Sequence, residues 1–191
     1  MAHSIQDFKS ALVGGGARPN LFEVTIPSPP TGVTLTPNFP ILCKAAALPA
    51  SNVGQIDVPF RGRIFKVAGD RTFDTWQITV INDQDFTIRT AFETWMQTIA
   101  QYGDGSGATN PTSYMVNAFV NQLKRGASTA NAATGAGLNV AKTYQFYDIF
   151  PTNISAIDLS YDTADTIEEF TVEFQVQYWT PFGSPTAPAK P

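Results

Sequence analysis

The sequence predicts a mainly β chain, a β-sandwich or partly open barrel with one flanking α-helix. Three observations predict it. Short segments of apolar–polar alternation recur along most of the length. One long stretch alone carries apolar residues at helical spacing. Clusters of proline and glycine separate the segments. The 191 residues, 43% of them hydrophobic, suffice for one domain with a core. The expected division is a single domain over 1–180, with a long loop at 54–71 and a flexible loop at 126–138, then a flexible proline-rich tail at 181–191.

The elements follow in order. Residues 4–13 form a short helix with Ile5, Phe8, Leu12 and Val13 on one side, ended by three glycines at 14–16. Residues 20–26 alternate, Phe22, Val24 and Ile26 inward and Glu23 and Thr25 outward. Five prolines, at 27, 29, 30, 37 and 40, make 27–40 an extended loop. Residues 39–46 read as a second strand. Residues 55–60 and 63–68 read as two arms around Arg61-Gly62, and the chain turns again at Gly69. The segment 75–81 is a strand, with Trp76, Ile78 and Val80 facing one way and Gln77 and Thr79 the other. Residues 86–100 are the long helix: Ile88, Phe92, Trp95, Met96 and Ile99 form its apolar stripe, and Asp83 or Asp85 caps it. After a glycine-rich loop at 102–112, strands are expected at 114–123, 140–150, 153–161 and 167–179, the last two joined by a hairpin around 162–165. In the final strand Phe170, Val172, Phe174, Val176 and Tyr178 point inward, and Thr171, Glu173, Gln175 and Gln177 outward.

Composition excludes several functions. Net charge is −4 with a pI of about 4.8, against a tight nucleic-acid binder, which needs a basic footprint. Charged residues make up 15%, well under the roughly 25% typical of globular domains. Either much of the surface is buried against partners, or Thr, Ser, Asn and Gln cover it. The single histidine, His3, removes Ser-His-Asp, Cys-His and His-based metal arrangements. Cys43, the only cysteine, lies in an apolar run and reads as a buried structural thiol. The glycines at 103, 105 and 107 lack the strand-before, helix-after context of a phosphate loop. Glu168 and Glu169 are strand neighbours on opposite faces, so they do not pair as acid and base. The reading is of a non-enzymatic protein without cofactor or metal, with no signal peptide and no membrane-spanning segment, made in a reducing cytoplasm.

One stretch stands apart. Residues 57–83, DVPFRGRIFKVAGDRTFDTWQITVIND, hold four cations, Arg61, Arg63, Lys66 and Arg71, in an acidic chain. With no catalytic group in view, such a loop is expected to reach another copy of the same protein.

Four blocks are similar to a known family: ARPNLFEV at 17–24, CKAAALPASNVGQIDVPFRGRIFKVAGDRTFDTWQITVIND at 43–83, FETWM at 92–96, and IFPTNISAIDLSYDTADTIEEFTVEFQVQYW at 149–179. In order and content they resemble the tail tube proteins of contractile-tailed phages, the T-even-like myophages in particular. KVAGDRTFDTW carries the resemblance most specifically. The segments 27–38, 126–138 and everything after Trp179 depart from it.

The resemblance implies hexameric rings stacked into a tube, strands from neighbouring subunits joining into one continuous inner β-barrel. It implies a virion protein, assembled in the bacterial host cytoplasm, whose lumen passes the genome. The implied partners are further copies of itself, the tail sheath protein, the tape-measure protein, and baseplate and tail terminator proteins, with only transient, non-specific passage of DNA. By the same resemblance the 54–71 loop reaches the adjacent ring through Arg61, Arg63, Lys66, Asp70 and Arg71. A neutral or mildly acidic wall lets DNA slide where a basic one would hold it. Gln77, Thr79, Thr171, Glu173, Gln175 and Gln177 suit such a lumen-facing wall. The alternatives are the inner tube of a phage-derived contractile injection system translocating protein effectors, a baseplate tube initiator, a carbohydrate-binding β-sandwich, and a hydrolase.

Overall fold

A computed structural model describes residues 4–12, 16–125, 140–162 and 164–182. The expected flexible loop at 126–138 and nearly all of the expected tail lie outside these residues. Helix α1 (Ile5–Ala11) is opened by a capping box, the Ser4 hydroxyl and the Asp7 carboxylate each accepting from the other's backbone N–H. It buries nothing, so the apolar side formed by Ile5, Phe8 and Leu12 is left open on the single chain.

Strands β1 (Phe22–Thr25), β2 (Cys43–Ala46), β3 (Ser51–Phe60), β4 (Arg63–Phe73) and β5 (Trp76–Ile81) follow, with one turn of helix, α2 (Phe39–Leu42), before β2. The expected strand at 39–46 therefore begins with a helical turn. Pro40 sits in its first turn, where the fixed φ suits the helix and the missing N–H has no partner to lose. Helix α3 (Thr87–Ile99) buries Ile88, Ala91, Phe92 and Trp95. Of the two acids proposed as caps, Asp83 serves: its carboxylate accepts from the N–H groups of Thr87 and Ile88 and from the Thr87 hydroxyl. The loop that follows folds back on the helix end, Ala108 N–H donating to the Thr98 carbonyl.

The sheet order is β1-β6-β7-β8-β5-β2, with β6 (Val116–Leu123), β7 (Val140–Ile154) and β8 (Glu169–Gln175), and β9 (Tyr178–Phe182) also beside β7. Strand β7 belongs to two layers. Its first part lies between β6 and β9, and its last part pairs β8, which leads to β5 and β2. The two layers form a sandwich and do not close into a barrel. Trp76 of β5 stacks on Phe146 of β7 with centroids 4.6 Å apart, and Phe92 of α3 packs edge-on to Phe170 and Phe174 of β8. Each fully buried side chain of this kind contributes roughly 1.5–3 kcal/mol.

Three expectations about the C-terminal strands are corrected. Of the strand expected at 153–161 only Asn153 and Ile154 are strand, as the end of β7, which runs through Pro151 at a register shift, a place where a missing ladder N–H is tolerated. In place of the hairpin around 162–165, a long connection links Ile154 to Glu169, residue 163 of it lying outside the described residues. The strand expected at 167–179 divides into β8 and β9, although both continue one antiparallel ladder on β7, from Ile154↔Val172 to Thr143↔Phe182. Phe170, Val172, Phe174 and Val176 are buried as expected. Tyr178, past the break, is instead half exposed and stacks on Tyr147 at 4.4 Å. Glu23 faces outward yet is buried, accepting from Asn121 opposite it on β6.

Candidate functional site

The expected loop at 54–71 is a two-stranded hairpin, β3 with β4, which pairs no other strand. Its turn is Arg61-Gly62, with φ of 46° and 80°. Two consecutive positive φ values give the tight hairpin turn whose twist matches the flanking strands. Gly62 meets this demand without strain, and the Arg61 guanidinium lies over the Phe60 ring at 5.4 Å. Gly69 is not a turn. It faces Gly54 at a bulge where β4 carries one extra residue, and a side chain at Gly69 would press on the Gly54 backbone.

Strand pairing fixes what each hairpin face presents. Ile56 with Val67, Val58 with Phe65, and Phe60 with Arg63 share one face. Its five large apolar side chains, Ile56, Val58, Phe60, Phe65 and Val67, are 40–66% exposed. Gln55, Asp57, Pro59, Ile64, Lys66, Ala68 and Arg71 occupy the other face. Arg61, Arg63, Lys66, Asp70 and Arg71 thus lie on one element without forming one cluster. Arg61 is at the tip, Arg63 on the apolar face, Asp70 in the bulge, and Lys66 and Arg71 on the polar face. Among the described residues none of the five takes part in an ion pair; the pairs there are Lys44–Glu169 and Arg89–Glu93. The hairpin meets the sandwich at its root, where Phe73 packs edge-on to Trp179 and the Asp74 N–H donates to the Ala50 carbonyl.

The apolar stripe lies on the same arms as the cations that mark this stretch in the sequence. Its signal was present as alternation at 56, 58 and 60 and again at 65 and 67.

Five of the six residues expected on the wall share one face of the sheet. Gln77 pairs Glu173 and Thr79 pairs Thr171, so these four share the face of β5 and β8 opposite the core. Gln175 continues that face along β8, and Asn153 of β7 joins beside Glu173. Gln177 lies past the end of β8, its N–H donating to the Tyr147 carbonyl. The face is polar and weakly acidic, because Glu169 at its edge is neutralised by Lys44.

At the far end of β5 and β8 from the hairpin root, the 155–168 connection shapes an open groove of about 680 Å³. The connection is anchored there by the Asn82 N–H, which donates to the Glu168 carbonyl at 2.9 Å, and by the Asn82 amide on the Glu168 carboxylate at 3.0 Å. Leu159, Tyr161 and Ile167 are exposed around it.

Burial pushes the Cys43 thiol up to about 12, far from a nucleophile's range. The Asp83 carboxyl is raised by its own burial and lowered by the hydrogen bonds from Thr87 and Ile88, the balance falling below the usual carboxylate value. Among the described residues no group of three or more His, Cys, Asp or Glu could hold a metal ion, and no helix is long and apolar enough to cross a membrane.

The family model described as phage tail tube protein matches residues 17–181. The tail tube protein gp19 of Enterobacteria phage T4 is 37% identical over 176 residues, covering 92% of this chain and 98% of its own length. The tail tube protein of Serratia phage KSP90 is 26% identical over 176 residues, covering 90% and 93%. Among solved structures, a chain of the PVC sheath–tube complex, an extracellular contractile injection system in its extended state, matches with a TM-score of 0.59. It covers 94% of this chain and 98% of that one, and at 12% identity what is shared is the fold.

Proposed function

This chain belongs to the phage tail tube protein family, a structural component of the virion tail, and from that premise we propose how its surfaces build the tube. Subunits join as hexameric rings, and rings stack head to tail along one axis inside a contractile sheath. Within a ring, sheet edges of neighbouring subunits pair into a continuous inner barrel, which removes exposed strand edges. The bore is the conduit for genome delivery, filled by the tape-measure protein before release. Sheath, baseplate and terminator proteins meet the outside and the ends of the tube.

One observation carries the stacking: an isolated hairpin with 10- and 11-residue arms and an apolar stripe left exposed among the described residues. The hairpin contacts the adjacent ring, Arg61 and Arg63 at its tip, Lys66, Asp70 and Arg71 along its flank. Gln77, Thr79, Thr171, Glu173, Gln175 and Gln177 face the bore, a wall with little to hold a phosphate chain.

Electron microscopy of the purified protein tests the assembly; uniform hollow rods are expected, and a persistent monomer at high concentration would overturn it. Arg61→Glu with Arg63→Glu is expected to give folded protein and short or absent tubes. Tubes of normal length would remove the hairpin tip from the inter-ring contact.

A further inference from the structure

The hairpin root and the 155–168 groove lie at opposite ends of the same two strands. Strand β5 starts three residues after β4 ends, and its other end, Ile81, pairs Glu169 at the groove. A hairpin leaving one end of a subunit and a groove waiting at the other end are placed for head-to-tail contact between copies. Their surfaces are complementary in two independent respects.

The first is charge. Residues 51–73 hold four cations against two acids, Asp57 and Asp70. The groove segment holds Asp158, Asp162, Asp165, Glu168 and Glu169, and the whole span 143–179 contains no lysine or arginine. Only Glu169 of these five has a cationic partner among the described residues. The second is apolar surface. Phe60 and Phe65 are each 66% exposed on the hairpin, and Leu159 and Ile167 are 79% and 72% exposed at the groove. A large apolar patch rimmed by charge is the usual make-up of a protein-binding surface.

We infer that the groove formed by 155–168 receives the β3–β4 hairpin of a subunit in the adjacent ring, Phe60 meeting Leu159 and Tyr161 while Arg61 and Arg63 meet Asp158 and Asp162. The inference rests on the hairpin's inter-ring role and names the surface that the hairpin meets. Apolar contact excludes water around the ion pairs, which strengthens them relative to exposed pairs, and like charge against the groove disfavours wrong registers.

Charge exchange in the full-length chain tests it, read as the amount and length of tubes formed. Asp158→Lys with Asp162→Lys is expected to abolish long tubes, as Arg61→Glu with Arg63→Glu does, and the four substitutions together are expected to restore them. If the hairpin variant loses tubes while the groove variant keeps them, the groove inference fails and the hairpin's role stands. If the hairpin variant also assembles normally, the stacking reading fails first. A second measurement covers the case of a misfolded variant. A chain carrying Phe60→Cys and Leu159→Cys, both at exposed positions, is expected to form covalent ladders of subunits when its tubes are oxidised. Tubes that form without any such cross-link would overturn the inference.

Discussion

Trp76 stacks on Phe146 and lies against Phe174, so one ring ties both layers and the end of the β5 ladder. Trp76→Ala is expected to cost about 3–5 kcal/mol, through lost contacts and the cavity left behind. Denaturant unfolding of a variant blocked in assembly would measure it. Asp83→Ala removes the acceptor at the start of α3 and is expected to cost about 1 kcal/mol. Because the Asp83 carboxyl is lowered in the folded chain, its contribution is present above the usual carboxylate value and is lost as pH falls through the depressed one. A pH titration of stability for the two proteins should show their curves converging in acid. Cys43 has the opposite sign: its thiol is raised from 9.0 to about 12, so stability is intact below 9.0 and falls as pH climbs toward 12. At neutral pH the folded chain is expected to resist a thiol reagent that modifies the denatured chain at once. Trp76, Ile78 and Val80 could be placed from alternation alone, because a strand with one buried face advertises that face. Tyr178 could not, since the strand is interrupted at Val176 and Gln177, between β8 and β9, and that interruption leaves no mark in composition.

The hairpin shows where such reading stops. Its turn could be located from Arg61-Gly62, and its arms from their alternation. Alternation reports that one face of a strand is destined for burial, not which molecule covers it. Ile56, Val58 and Phe60 look in sequence like Ile78 and Val80, yet among the described residues only Ile78 and Val80 are buried. The same holds for α1, whose Ile5, Phe8 and Leu12 have helical spacing and are exposed. The candidate wall was more accessible, because Gln77 and Glu173, once both were assigned outward, had to share a face if their strands paired. Replacing 52–72 by a short turn is expected to leave the unfolding temperature of the monomer nearly unchanged and to abolish tubes. A large fall in that temperature would mean that the hairpin supports the sandwich itself.

For the assembled particle, the weakly acidic wall predicts how DNA behaves. Tubes of Glu173→Lys are expected to retain DNA at low salt and release it as salt rises, while unsubstituted tubes retain none. Retention indifferent to position 173 would place that face elsewhere than the bore. The strand shared by both layers governs a different property. Because β7 pairs β6 and β9 along one part and β8 along the other, one continuous strand carries the ladders of both layers. Amide hydrogens of β6 and β5, on opposite sides of the sandwich, should therefore exchange with solvent in one cooperative event of the same free energy. A subunit built this way is expected to have no half-open form, and a tube driven under load to yield by parting between subunits before any subunit comes apart.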